Sequence, residues 1–309
     1  MKIAVANSGG ADSTCLLFLL KEYIKNEASS HKHHKLLSLT IDHDLQPTSA
    51  EMANHAATFA EKLGVKHITT KIPWGEGIYP PKPLNGKIEL LARDARYALL
   101  FAAMRDARVS TLALAHHGDD QAETMLMRLG KGTSSLGMVG MRPRIRWGMG
   151  SEIEGMNWRG HIGLQMYKIR PLLDVGKVIF FLKKKTHSNG VCHVVDLFFF
   201  CSKDRILATC EANELEYVND PSNFQPHLTI RNAIRHCLDR KEPDPTFADY
   251  PGEIGVELKR IDKAAAKYPE LNISLSSSRE QLREAVKTVA EELDQVDAKG
   301  LSSSDFLDL

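Results

Sequence analysis

One short stretch, Ser8-Gly9-Gly10-Ala11-Asp12-Ser13, constrains this chain more than any other. The apolar run Ile3-Ala4-Val5-Ala6 precedes it and Leu16-Leu17-Phe18-Leu19-Leu20 follows. That order predicts a buried strand, a tight glycine turn and a helix start. Adjacent glycines let a ligand approach the backbone and aim successive N–H groups the same way. Ser8 and Ser13 add hydroxyls, and the helix adds the positive end of its dipole, so the turn suits a phosphate. No Gly-Lys-Ser/Thr closes it and Gly-x-Gly-x-x-Gly is absent, which excludes the two commonest glycine-rich phosphate loops. Asp12 would repel phosphate unless a cation lay between them, so it is read as a Mg²⁺ contact. The plainer alternative is a strand-to-helix turn in which Asp12 and Ser13 act as caps.

Strands and helices then alternate. A first helix is expected over Thr14–Lys25, a strand over Leu36–Ile41, and a helix opened by a Thr48-x-x-Glu51 capping box and closed at Gly64. A strand over Val65–Ile72, a Pro- and Gly-rich loop over Pro73–Lys87, a helix over Ile88–Arg105 and a strand over Leu112–Ala115 follow. The alternation predicts an α/β fold, a doubly wound parallel sheet with ligands at the carboxyl ends of its strands. Ser8, Asp42 and His116 all fall at such ends.

The second motif is His116-His117-Gly118-Asp119-Asp120-Gln121-Ala122-Glu123-Thr124. Ala122, Met125, Leu126 and Leu129 recur at helical spacing and face a core. Asp120 and Glu123 stand three apart, so both can reach one ligand. Acids that merely stabilise a helix start account for one or two of these carboxylates, not for three behind a histidine pair.

SGGxDS followed by HHxDDQAET resembles the tRNA(Ile)-lysidine synthetase family of PP-loop N-type ATP pyrophosphatases. Supporting stretches occur in the family's order: Asp42-His43-Asp44-Leu45-Gln46, Ala92-Arg93-Asp94-Ala95-Arg96-Tyr97, Arg170-Pro171-Leu172-Leu173, Asp220-Pro221-Ser222-Asn223 and Arg231-Asn232-Ala233-Ile234-Arg235. The resemblance covers residues 1–238, and 239–309 is expected to be a small helical, partly disordered appendage. It implies that ATP is held by Ser8, Gly9, Gly10, Ala11, Asp12, Ser13, Asp42 and His116, with Mg²⁺ on Asp12. It implies a C2 carbonyl adenylated on the wobble cytidine of a CAU-anticodon tRNA(Ile), then attacked by the ε-amine of free L-lysine. Asp120 and Glu123 would hold that amine and take its proton, and Asp12, on Mg²⁺, is the third catalytic residue. Arg93, Arg142, Arg144 and Arg231 would meet the tRNA. Where the family has Gly-Leu-Arg after Asp-His, this chain has Asp44-Leu45-Gln46, and no full-length carboxyl-terminal tRNA-binding domain is visible.

The Gly-rich, basic stretch from Gly130 to Gly150, with Arg142, Arg144 and Arg146, is expected to be a mobile loop on the tRNA backbone, the alternative being a plain solvated loop. Arg231 and Arg235 share a helix face and would bind phosphate or pair with Asp220. Gly176–Cys201 interrupts the family pattern with Phe-rich runs and is read as a non-family insertion, encoded by a retained intron, the alternative being a genuine surface insertion. Ser276–Val296 carries Leu282, Ala285, Val286, Val289 and Leu293 at amphipathic-helix spacing.

A net charge of +1 leaves any polyanion partner to local charge. Five cysteines without a Cys-x-x-Cys pair disfavour a disulfide scaffold, a zinc knuckle and a PP-loop tRNA thiolase. An inactive nucleotide- or RNA-binding protein is the non-enzymatic alternative. No apolar run is long enough to span a membrane. With no targeting signal in the chain, the expected location is cytoplasmic, or the mitochondrial matrix if the gene is eukaryotic.

Overall fold

The structure is a computed structural model that describes residues 2–26, 35–82, 88–133, 135–141, 144–146, 167–169, 201–240, 247–250 and 252–297. It divides into two compact units. The first comprises Met1–His116, Pro143–Phe198 and Lys203–Asn219, the second His117–Arg142, Phe199–Ser202 and Asp220–Leu309.

The first unit is the α/β layer. Its strands β1 (Lys2–Ala6), β2 (Lys35–Asp42), β3 (Lys66–Lys71), β4 (Thr111–Ala113), β5 (Arg144–Arg146) and β6 (Tyr167–Ile169) form one sheet in the order β3-β2-β1-β4-β6-β5. All neighbours are parallel except β5, which runs antiparallel to β6 at the edge. The strand order reverses at β1, which pairs with β2 on one side and β4 on the other. This is where a doubly wound sheet opens a crevice beyond its strand ends. The helices of this unit are α1 (Ala11–Asn26), α2 (Ser49–Lys62), α3 (Ile88–Asp106) and α6 (Lys203–Ala212). Ala4, Leu37, Leu39 and Leu112 of the sheet pack with Leu100, Phe101 and Met104 of α3, all buried. Burying several such side chains, each worth about 1.5–3 kcal/mol, fixes the strand register beneath the loops.

The second unit is helical: α4 (Gly118–Gly130), α5 (Ser135–Met138), α7 (Ile230–Arg240), α8 (Gly252–Ala265) and α9 (Arg279–Asp297). The α4 stripe Ala122, Met125, Leu126 and Leu129 lies in one core with Ile234, Leu258, Ile261, Leu282 and Val286. Compactness therefore groups α4 with the helices that follow Asp220. The apolar face of α4 decides this, because it packs with helices from the far end of the chain.

Several local expectations change. Helix α1 begins three residues early, at Ala11, so Asp12 and Ser13 lie inside its first turn. Thr48 makes no side-chain cap and is itself in a helical conformation; Ser49 Oγ instead donates to Asp42 Oδ1 at 2.7 Å. Arg144 and Arg146 are not loop residues but β5, paired with Ile169 and Tyr167. Arg142 and residues 170–200 lie outside the described residues, as do 298–309. Cys201, the last residue of the interruption, is buried, and its carbonyl accepts Gly118 N–H at 2.8 Å. Excising 176–201 would put Val175 in that position.

Candidate functional site

In the first unit the glycine turn leaves β1 and enters α1. Gly9 has φ +80°, and a Cβ there would stand 3.1 Å from the Met52 carbonyl oxygen, so this position requires glycine. Gly10 is different. A Cβ there would meet nothing closer than Ser8 Oγ at 3.6 Å. Protein packing does not demand that glycine, and the space it leaves open suits a close-lying ligand.

A residue that sequence reasoning passed over holds this turn. Asn7, 2% exposed, donates from Nδ2 to Ser38 Oγ (3.2 Å) and the Ala56 carbonyl (3.3 Å). Its Oδ1 accepts Gly9 N–H (3.1 Å) and Ser13 Oγ–H (3.2 Å). Ser13 Oγ also accepts Ser8 N–H at 3.1 Å, and Val218 N–H reaches the Gly9 carbonyl at 2.9 Å. The only signal in the sequence was a polar residue ending an apolar strand just before Ser-Gly-Gly. Such internal bonding holds the turn in shape without rearrangement, which is how oriented N–H groups bind anions well.

Asp12 is half-buried and its Oδ1 lies 2.5 Å from Lys203 Nζ at the start of α6. The carboxylate read as a cation partner thus has an ammonium as its protein partner. Among the described residues no group of three or more His, Cys, Asp or Glu is placed to hold a metal. Asp12 as a single carboxylate fits a Mg²⁺ that arrives on phosphates, not one caged by protein.

Asp42, 8% exposed at the end of β2, accepts Asp44 N–H (2.9 Å) and Ser49 Oγ–H (2.7 Å) at Oδ1. Asp44 itself has φ +52°, which explains why the related pattern carries glycine there. Its carboxylate takes Lys71 at 3.1 Å and Lys82 at 3.4 Å, and the Lys71 bond holds it below the usual carboxylate range. His116 is half-buried after β4. Arg93 and Arg96 are exposed on α3, their guanidiniums 5.8 and 5.6 Å from the Tyr97 ring centroid.

In the second unit the start of α4 gathers the acids. His117 is the N-cap, and its N–H donates to Asp120 Oδ2 at 3.2 Å. Asp119, Asp120 and Glu123 are 2%, 8% and 1% exposed. Burial of three carboxylates on one helix turn requires partners. Arg231 supplies bonds to Glu123 Oε2 (2.9 Å) and Thr124 Oγ1 (3.3 Å), and Arg235 to Glu123 Oε1 (2.7 Å) and Asp120 Oδ1 (3.2 Å). From α9, Arg283 pairs with Asp119, and Arg279 stands 3.7 Å from Glu123 Oε1 while bonding Asp239 at 2.8 Å. Arg231 and Arg235 thus meet the acids of α4. Asp220 instead caps its own turn by accepting Ser222 N–H at 2.9 Å. That turn is tied to α7 by Asn232, whose Nδ2 donates to the Ser222 (2.7 Å) and Gln225 (3.0 Å) carbonyls. Asp120 and Glu123 are brought together as the spacing predicted, but with guanidiniums already on their oxygens.

Three kinds of comparison bear on this arrangement. The tRNA(Ile)-lysidine synthase of Bradyrhizobium sp. (strain BTAi1) is 32% identical over 284 residues, covering 90% of this chain and 64% of that protein. The tRNA(Ile)-lysidine synthase of Zymomonas mobilis is 35% identical over 240 residues, covering 77% of this chain and 55% of that protein. The chain spans between half and two thirds of the length of these relatives. Among solved structures, the U34-tRNA thiolase NcsA from Methanococcus maripaludis with its [4Fe-4S] cluster matches with a TM-score of 0.53 at 15% identity, over 95% of this chain and 73% of that one. That likeness is one of fold. Residues 1–242 match the PP-loop domain, and with the glycine turn, the parallel sheet and the lysidine synthase relatives in agreement, the chain belongs to the PP-loop domain family.

Proposed function

We propose that the protein is an ATP-dependent tRNA(Ile)-lysidine synthetase. The observation that carries this is the pairing, in one chain, of a pre-bonded phosphate turn with the buried HHxDDQAET helix, in a sequence whose relatives bear that name. In the first step the C2 carbonyl oxygen of the wobble cytidine attacks the α-phosphorus of ATP and pyrophosphate leaves. The N–H groups of Gly10 to Ser13 and the positive end of α1 offset the charge that develops on the phosphates. Mg²⁺ carried by the nucleotide would be met by Asp12 and would add charge neutralisation there. Lys203 is placed to keep Asp12 oriented. Asp42 and His116 would face the adenosine part of ATP.

In the second step the lysine ε-amine attacks C2 and AMP leaves. Asp120 and Glu123 receive the amine. Arg231 is anchored on Glu123 yet 25% exposed, so it can offer its outer N–H groups to tRNA phosphate. Arg93, Arg142 and Arg144 are the remaining tRNA contacts. Incorporation of radiolabelled lysine into a CAU-anticodon tRNA(Ile) transcript, dependent on ATP, tests the proposal. Labelling of that transcript and not of one with a different anticodon is the expected result. Sulfur transfer to tRNA, or ATP binding with no tRNA product, would replace this function by a thiolase or by a binding protein.

A further inference from the structure

A lysine side chain reaches any enzyme as an ammonium, and only the neutral amine has the lone pair that attacks carbon. A pair of bare carboxylates would bind the ammonium and hold it protonated, since opposite charges favour the charged form. The acid helix is not bare. Its three carboxylates, Asp119, Asp120 and Glu123, face four guanidiniums: Arg231 and Arg235 from α7, Arg279 and Arg283 from α9. Asp239, with a side chain 67% exposed, adds one negative charge on the outer side of Arg279. His117 lies 3.6 Å from Asp120 and 3.9 Å from Asp119. On α7, His236 is engaged with the Tyr250 hydroxyl at 2.6 Å, and Cys237 Sγ lies 3.3 Å from the same hydroxyl. Four acids against four arginines leave the cluster with no surplus negative charge.

We propose that α9 is part of the amine-activating machinery: Arg279 and Arg283 are positioning residues that balance the acid helix, so that an entering primary amine is held neutral. The ammonium releases one proton to solvent on entry. The lone pair then forms the N–C2 bond while the C2–O bond to AMP breaks, its electron pair leaving on the AMP oxygen. The second proton leaves the new C–N product as its charge is lost. Asp120 and Glu123 accept hydrogen bonds from the amine and fix its direction. This inference rests on the lysine-transfer reading above.

The test is the pH profile of lysine incorporation by the full chain. In Arg279→Gln, Glu123 keeps Arg231 and Arg235, so the helix keeps its inner partners. Loss of one positive charge should move the acid limb of kcat upward by about 0.5–1 pH unit and lower kcat at neutral pH about three- to ten-fold, without raising KM for lysine. Arg279→Lys should restore the original profile. Asp239→Asn, an exposed change that removes a negative charge from the same side, should move the limb the opposite way. A merely structural role for Arg279 would raise KM or lower the melting temperature and leave the limb in place. An unmoved limb in both active variants, or a shift of the same sign in both, overturns the proposal. Absence of lysine incorporation by the unaltered chain would instead remove the lysine-transfer reading itself.

Discussion

Replacing Asn7 with Ala isolates the scaffold beneath the phosphate turn. The side chain is 2% exposed and makes four hydrogen bonds. Not all four losses are equal. Ser38 Oγ keeps His67 Nδ1 at 2.9 Å, and Ser13 Oγ keeps the Gly10 carbonyl at 3.1 Å and Ser8 N–H. The Ala56 carbonyl lies within α2, where the helix supplies a partner. Gly9 N–H alone loses its acceptor. A buried donor left unpaired costs about 1–3 kcal/mol, and bonds whose partners are otherwise satisfied cost about 0.5 kcal/mol each. The sum is roughly 2.5–4.5 kcal/mol, or a melting temperature lower by roughly 5–18 °C for a unit of this size. The turn also loses the bond that aims Gly9, so ATP affinity should fall at least about ten-fold, equivalent to about 1.4 kcal/mol. Asn7→Asp is the sharper companion. It keeps an acceptor for Gly9 but turns an oxygen toward the Ala56 carbonyl and adds negative charge beneath an anion site, so ATP binding should fall further. Thermal melts by circular dichroism and ATP titration calorimetry read both effects. An Asn7→Ala protein that melts within about 1 °C of wild type and binds ATP within about two-fold would refute this account of the turn.

Asp12→Ala should abolish ATP-dependent turnover while costing less than about 1 kcal/mol of stability, because the Lys203 pair it breaks is partly solvent-screened on both sides; near wild-type pyrophosphate release would contradict its role. Asp44→Gly relieves a left-handed residue, a strain of about 1–2 kcal/mol for most side chains, but gives up exposed pairs with Lys71 and Lys82. A melting temperature equal to or above wild type is expected, and a fall beyond about 3 °C would count against the strain argument. Burial pushes His67 below its usual range, so the unfolded chain binds the proton more readily. Stability contributed by neutral His67 is present above about pH 6.5 and is lost as pH falls below it. Urea titrations between pH 5 and 7 should show a steeper decline for wild type than for His67→Gln, and parallel declines would exclude His67 as the cause.

The glycine turn and the acid helix were legible in the sequence because each is a local pattern. Strand, turn and helix within twenty residues carry their own periodicity, and Ala122, Met125, Leu126 and Leu129 mark a buried face whatever covers it. Strands β5 and β6 escaped because each has three residues, too few for a period of two to stand out. Asp44 was visible only as a departure from the related pattern. Its left-handed φ, not its charge, accounts for the difference.

The partners of the acids were a tertiary decision. Glu123 is bonded to arginines 108 and 112 residues away, and Asp119 to one 164 residues away. Nothing in local spacing selects Arg231, Arg235, Arg279 and Arg283 from the other cations of the chain. The selection follows from burial. Packing of α4 against α7, α8 and α9 removes the carboxylates from water, and charges so removed must be paired within the fold. The sequence by itself determined which residues could carry charge at the start of α4. Helix packing determined that this charge is balanced, because only the folded chain brings the arginines within bonding distance of it.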